Sequence, residues 1–201
     1  MSVFEPWPML VYGLAWCSFG LLHSVFAAFS VKAHTEKIFG RANRLIYNVF
    51  ACVHLALVFY GGSLLLDANV LGVFANNPAM TMMRVIRGLG MLFILYSLSR
   101  YDLGEFIGVK QFDENKDDDV SLNTNGINGW IRHPMYLGVL LFVWGGASSQ
   151  LGFYTAAYVT GYLLIGIRFE EKKLERVFGD AYNDYQRQVS MLFPIKKFLG
   201  K

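Results

Sequence analysis

Only two cysteines occur in this 201-residue chain, Cys17 and Cys52, and both fall inside apolar runs. A disulfide framework or a thiolate zinc site is thereby excluded, and both are expected to be small core residues. The HExxH pattern of zinc proteases, the GxxxxGK[ST] phosphate loop and the GxGxxG dinucleotide fingerprint are all missing. Ser24 and Ser190 lack the setting of a hydrolase nucleophile. The net charge is only +3 and its basic residues flank apolar segments, so no nucleic-acid partner is needed to explain them. No basic segment precedes the first apolar run, which is too long for the core of a cleaved signal peptide.

What the chain does have is apolar surface. Hydrophobic residues make up 54% and aromatic residues 16%, with a mean hydropathy of +0.36. A soluble domain of this size cannot bury so much. Five apolar runs stand out: Met9 to Val31, Leu45 to Leu66, Val85 to Leu98, Met135 to Ala147 and Leu151 to Ile167. The last two are short for a span of about 20 residues and need tilt or a locally thinned bilayer. Of the 18 Lys and Arg, all but Arg84 and Arg87 lie between the first and second runs, between the third and fourth, or after the fifth. The positive-inside rule then places the N-terminus outside and the tail in the cytoplasm. The expectation is an all-α polytopic membrane protein with five transmembrane helices and cytoplasmic interfacial helices, set in a bacterial inner membrane.

Two unlike parts follow. Residues 1–100 hold three membrane helices, with Asn76-Asn77-Pro78 as a turn before the third. Residues 101–201 hold a loop, a helical hairpin and a tail. Within that loop, Tyr101 to Gly108 reads as an interfacial segment and Asp113 to Asp119 as a solvated acidic stretch rather than a calcium loop. In the tail, Glu170 to Phe178 reads as a helix stopped by Gly179, with a second apolar face from Tyr182 to Phe193.

The chemistry is expected at the two ends of the hairpin. Arg132-His133-Pro134-Met135-Tyr136 opens it, and Arg168-Phe169-Glu170-Glu171 closes it. If both arms cross the bilayer, the clusters return to one face. Proline suits the first helical turn, leaving Arg132 and His133 beside unpaired backbone donors that favour a carboxylate or phosphate. Tyr136 adds a hydroxyl, and Gly138 a close backbone approach. Adjacent carboxylates near lipid need cations or donors, so Glu170 or Glu171 is expected to pair with Arg168 while the other meets a ligand. The alternative is ordinary interfacial anchoring and a solvated helix start. His23 and His54, inside the first two runs, are read as interhelical hydrogen-bonding residues, with haem ligation as the rival.

From Gly126 through Ile131-Arg132-His133-Pro134-Met135-Tyr136-Leu137-Gly138, then Arg168-Phe169-Glu170-Glu171, Phe178-Gly179, Tyr182, Tyr185 and Phe193-Pro194, the chain resembles a family of membrane methyltransferases. These are typified by isoprenylcysteine carboxyl methyltransferase and the bacterial phospholipid methyltransferases. Leu22-His23-Ser24, Arg44-Leu45-Ile46-Tyr47-Asn48 and Asp102-Leu103 with Gln111 resemble the branch containing methanethiol S-methyltransferase and NnrU-like proteins. The chain departs from the pattern at Asn128, where the family commonly has an aromatic residue. The resemblance implies S-adenosyl-L-methionine as methyl donor, held by Arg132, His133, Tyr136, Leu137 and Glu171, with Arg168 and Glu170 placing the acceptor. A small thiol is the implied acceptor, and a prenylcysteine carboxylate or phospholipid amine the alternative. A haem-binding isomerase or redox protein is the remaining rival.

Overall fold

The structure is a computed structural model that describes residues 6–27, 29–69, 77–100 and 122–198. Every regular element among them is helical, and no strand occurs. The elements are α1 (Trp7–Ala27), α2 (Phe29–Phe39), α3 (Asn43–Leu65), α4 (Pro78–Ser99), α5 (Pro134–Trp144), α6 (Gln150–Phe178), α7 (Asp180–Gln188) and α8 (Ile195–Phe198). The segments read as interfacial (101–108) and acidic (113–119) lie outside the described residues.

Exposure runs opposite to that of a soluble bundle. Leu14 on α1 and Leu64 on α3 are each 68% exposed, and Val85, Leu92 and Leu95 on α4 also face outward. In water such surfaces would drive aggregation, whereas in hydrocarbon they are satisfied. Three segments are long and apolar enough to cross a bilayer: Trp7–Phe26, His34–Leu65 and Pro78–Ser99. The protein is therefore read as a membrane protein with at least three spanning helices. The fourth run forms α5, only 11 residues long. At 1.5 Å per residue it measures about 16 Å, short of the roughly 30 Å hydrocarbon core. The fifth run is the N-terminal part of α6, a 29-residue helix that continues without a break into the charged tail segment. Cys17 and Cys52 are free and exposed on α1 and α3, contrary to the expected core placement.

Contacts fix the helix directions. On α1, Ser18 bonds His54 and His23 packs on Tyr47, so α1 and α3 are antiparallel. Tyr12, Trp16 and Phe19 of α1, Val58 of α3, and Val159 and Leu163 of α6 form one core cluster. The buried hydroxyl of Tyr12 meets Thr155 Oγ1 of α6 at 2.8 Å, and Tyr158 donates to Met9 O at 2.7 Å. At the opposite end of α6 from the site, Leu151 N–H donates to Asp67 O just past α3.

His23 Nδ1 lies 3.1 Å from the Tyr162 hydroxyl, and His54 Nε2 lies 3.2 Å from Ser18 Oγ. The Phe19 ring packs against both imidazoles, at 5.6 Å and 5.5 Å between centroids. Each histidine thus has its own interhelical partner, with an aromatic ring beside it.

The tightest packing joins α4 to α5. A Cβ on Gly90 would stand 2.4 Å, and on Gly138 2.9 Å, from backbone nitrogen of the facing helix. Small residues let the two backbones close together, as in membrane bundles generally. Gly138 was expected to admit a ligand; its bare face instead admits α4. The consequence is positional: the C-terminal end of α4 lies beside the N-terminal end of α5. Asn77 caps the other end of α4, accepting from Ala79 N–H, with Pro78 in the first turn.

Candidate active site

The two polar ends of the hairpin meet. Glu171 Oε1 accepts from Arg132 Nε at 2.8 Å and Nη2 at 2.6 Å, and from His133 Nε2 at 3.1 Å. A carboxylate can only accept, so Nε2 carries the hydrogen in that bond. The second oxygen accepts from the Gln186 amide of α7 at 3.3 Å. Burial alone would raise the Glu171 carboxyl, but the hydrogen bonds and charges of His133 and Arg132 outweigh it and hold it below the usual carboxylate range.

Arg132 reaches further, donating through Nη1 to the carbonyls of Gln186 and Val189. The backbone repeats the link: Arg132 N–H donates to Ser190 O at 2.9 Å and His133 N–H to Met191 O at 3.1 Å. Lys196 Nζ caps the same carbonyl end of α7, at 2.6 Å from Gln186 O and 3.0 Å from Arg187 O. Gly179, at φ 56°, makes the turn from α6 to α7. The tail is thereby folded back over the start of α5.

Glu170 faces elsewhere. Its Oε2 accepts from the Tyr136 hydroxyl at 2.6 Å and lies 3.8 Å from His133 Nδ1. The His133 and Tyr136 rings stack, 5.4 Å apart and 19° from parallel. Glu170, His133, Tyr136 and Arg132 line a cavity of about 390 Å³, together with Ser97 of α4, Arg100 just past its end and Tyr182 of α7. That volume is in the range of small-molecule sites. Pro134, Leu174 and Phe178 supply apolar wall. Asn128, the departure from the family pattern, is also on this wall; its carbonyl accepts from Tyr185 at 2.6 Å and its amide donates to Asn123 O at 3.2 Å.

Three expected residues sit differently. Glu171 is turned from the cavity lining into the lock just described. The Leu137 side chain packs with Ile131, Ile167 and Leu192 and borders a second, apolar hollow of about 380 Å³ with Phe93, Trp130 and Pro194. Arg168 is exposed and stands outside this set of bonds, so neither glutamate pairs with it. Ser97, Arg100, Asn123 and Gln186 were not anticipated. Only their positions after folding mark them, since each is an ordinary polar residue in sequence.

Residues 80–181, which carry nearly all of α4, the whole of α5 and α6 and both polar clusters, match the phospholipid methyltransferase family. The chain belongs to that family. It is a membrane methyltransferase. A methanethiol S-methyltransferase of Pseudomonas deceptionensis is 31% identical over 196 residues, covering 94% of this chain and 74% of the relative. One from Crocosphaera subtropica is 29% identical over 193 residues, covering 91% and 72%. A protein-S-isoprenylcysteine O-methyltransferase of Dictyostelium discoideum is 37% identical over 84 residues, covering 38% of this chain and 34% of that protein. No solved structure gives a significant match.

Proposed function

We propose that this protein transfers a methyl group from S-adenosyl-L-methionine to a small thiol at the inner face of a bacterial plasma membrane. The observation that carries the reading is the cavity where the start of α5 meets Glu170 of α6 under the folded tail. The near full-length likeness to methanethiol S-methyltransferases supports the small thiol. In this reading α5 and α6 complete a five-span topology, N-terminus outside and tail in the cytoplasm, with the short α5 accommodated by local thinning or tilt. Residues 101–201 form the catalytic part, and α4 of residues 1–100 contributes to its wall.

The cavity suits that donor: it offers a carboxylate edge, stacked rings, apolar wall and, on Ser97 and Tyr182, buried hydroxyls with no hydrogen-bond partner among the described residues. Bound S-adenosylmethionine supplies a methyl group already activated by its sulfonium. Arg132, His133 and Tyr136 shape the donor site. Glu171 holds Arg132 and His133 in place, and Leu137 packs the start of α5 against α6. Glu170 faces the cavity, where it would take the proton of the acceptor thiol and leave the sulfur ready to receive the methyl group. Because charge is neutralised in that step, a wall of Pro134, Leu174 and Phe178 that excludes water favours it. Arg168 is left outside the reacting set.

A lipid-like acceptor is the second reading. The apolar hollow beside Leu137 and Trp130 favours it, as does the shorter likeness to isoprenylcysteine O-methyltransferases. An assay with labelled methyl donor across a small thiol, a prenylcysteine and a phospholipid amine separates the two. Labelled thioether is expected. Label found only in prenylcysteine ester or lipid would overturn the thiol assignment.

A further inference from the structure

Two of the hydroxyls on the cavity wall have no hydrogen-bond partner among the described residues. Ser97 is 2% exposed and Tyr182 1% exposed, and both line the same cavity from different helices, α4 and α7. A buried hydroxyl left unpaired forfeits its hydrogen bonds to water with nothing in return, so two in one site call for an explanation. The rest of that wall offers donors. Arg100, three residues after Ser97, lines it, and so does the N-terminal turn of α5, which no side chain caps. Arg132 lines it too, although its guanidinium is already held by Glu171. Among the described residues the one carboxylate on the lining, Glu170, is engaged by Tyr136.

We infer that Ser97 and Tyr182, with Arg100 and the N-terminal turn of α5, form an anion subsite that takes a carboxylate or thiolate of a ligand in the cavity. This rests on the methyl-transfer reading, in which two groups have that chemistry: the carboxylate of the methyl donor's aminoacyl arm and the ionised sulfur of the acceptor. Each hydroxyl gains its missing acceptor when the group arrives. Two buried hydroxyls kept for an acceptor cost the fold stability, as expected of a site shaped for binding rather than for stability.

The test uses the full chain in nanodiscs, with Ser97→Ala, Tyr182→Phe and the double variant. Calorimetry measures S-adenosylmethionine against its decarboxylated analogue, and kinetics measure KM for a small thiol. If the donor's carboxylate is held, each substitution weakens S-adenosylmethionine about tenfold, the worth of one hydrogen bond to a charged group, and leaves the analogue unchanged. If the thiolate is held, donor binding stays constant while KM for the thiol rises by a similar factor. In either case the ligand-free Ser97→Ala protein melts no lower than the parent, which separates loss of a ligand contact from damage to the fold. Unchanged affinity and KM in all three variants overturns the subsite. Failure of the unaltered protein to bind the donor at all sinks the methyl-transfer reading instead.

Discussion

Glu170 and Glu171 are adjacent on α6, yet one faces the cavity and the other is locked to Arg132 and His133. Successive residues on a helix point about 100° apart, and that rotation separates a group available to ligand from a group that holds the wall. Near lipid, two bare carboxylates side by side would be costly. Here each has its own donors, and the pair couples the chemistry of the cavity to the stability of the hairpin.

The two glutamates should therefore fail differently. Glu171→Ala leaves the Arg132 guanidinium buried without its counter-charge, at a cost of about 3–5 kcal/mol. Thermal melting should show a large drop, with donor binding lost. Glu170→Gln keeps the shape and removes a half-exposed charge, so stability should stay within about 0.5 kcal/mol while methyl transfer falls. Equal destabilisation by both substitutions would contradict the division of roles.

Acid should open the lock. The Glu171 carboxyl is held below its ordinary value of 4.5, chiefly by hydrogen bonds from His133 and Arg132 that overcome burial. A depressed carboxyl stabilises the folded state fully above the unfolded value, and that stability disappears as pH falls through the lower folded value. Melting temperature should thus decline below about pH 5, and Glu171→Gln should lack that component of the decline. Parallel curves for the two proteins would show that the carboxylate contributes nothing to acid stability.

The meeting of Arg132-His133 with Glu170-Glu171 was legible in sequence because polar residues at the ends of an apolar hairpin are costly unless they find each other. Gly179 as a helix stop was legible for its backbone freedom. What could not be read was depth. Ser97 and Gln186 are unremarkable polar residues until α4 and α7 bring them to the cavity and the lock. Side-chain direction was also hidden, so Gly138 was assigned to a ligand though it serves α4, and Glu171 to the donor though its oxygens are taken by Arg132, His133 and Gln186. Apolar composition did mark the fourth run as short for a span, and α5 has only 11 residues.

Close helix approach positions the α4 wall, and Gly90 tests it. A Cβ there would meet Phe142 N at 2.4 Å and Gly138 O at 2.7 Å, both backbone atoms that cannot swing aside. Gly90→Ala should push α4 from α5, lower stability by about 1–3 kcal/mol and raise KM for the methyl donor as Ser97 moves outward. Gly88→Ala, with nothing within 4 Å of the added carbon, is the control and should match the parent in both measurements. A Gly90 variant as stable and active as that control would show that the tight crossing is dispensable.

The tail is part of the site and not an appendage, because it supplies the acceptors that Arg132 and His133 use. Ser190 O and Met191 O take the N–H groups of Arg132 and His133, and Lys196 closes the carbonyl end of α7 above them. Ending the chain after Gln188 removes all three at once, while α1, α3 and α4 keep their apolar spans. The truncated protein should still insert into membranes, shown by its resistance to carbonate extraction, but should lose donor binding. Lys196→Met alone removes one cap and keeps both backbone acceptors, so it should weaken binding by less than about tenfold. Full donor affinity in the truncated protein would show that α5 and α6 hold Arg132 and His133 without help from the strand of chain that crosses them.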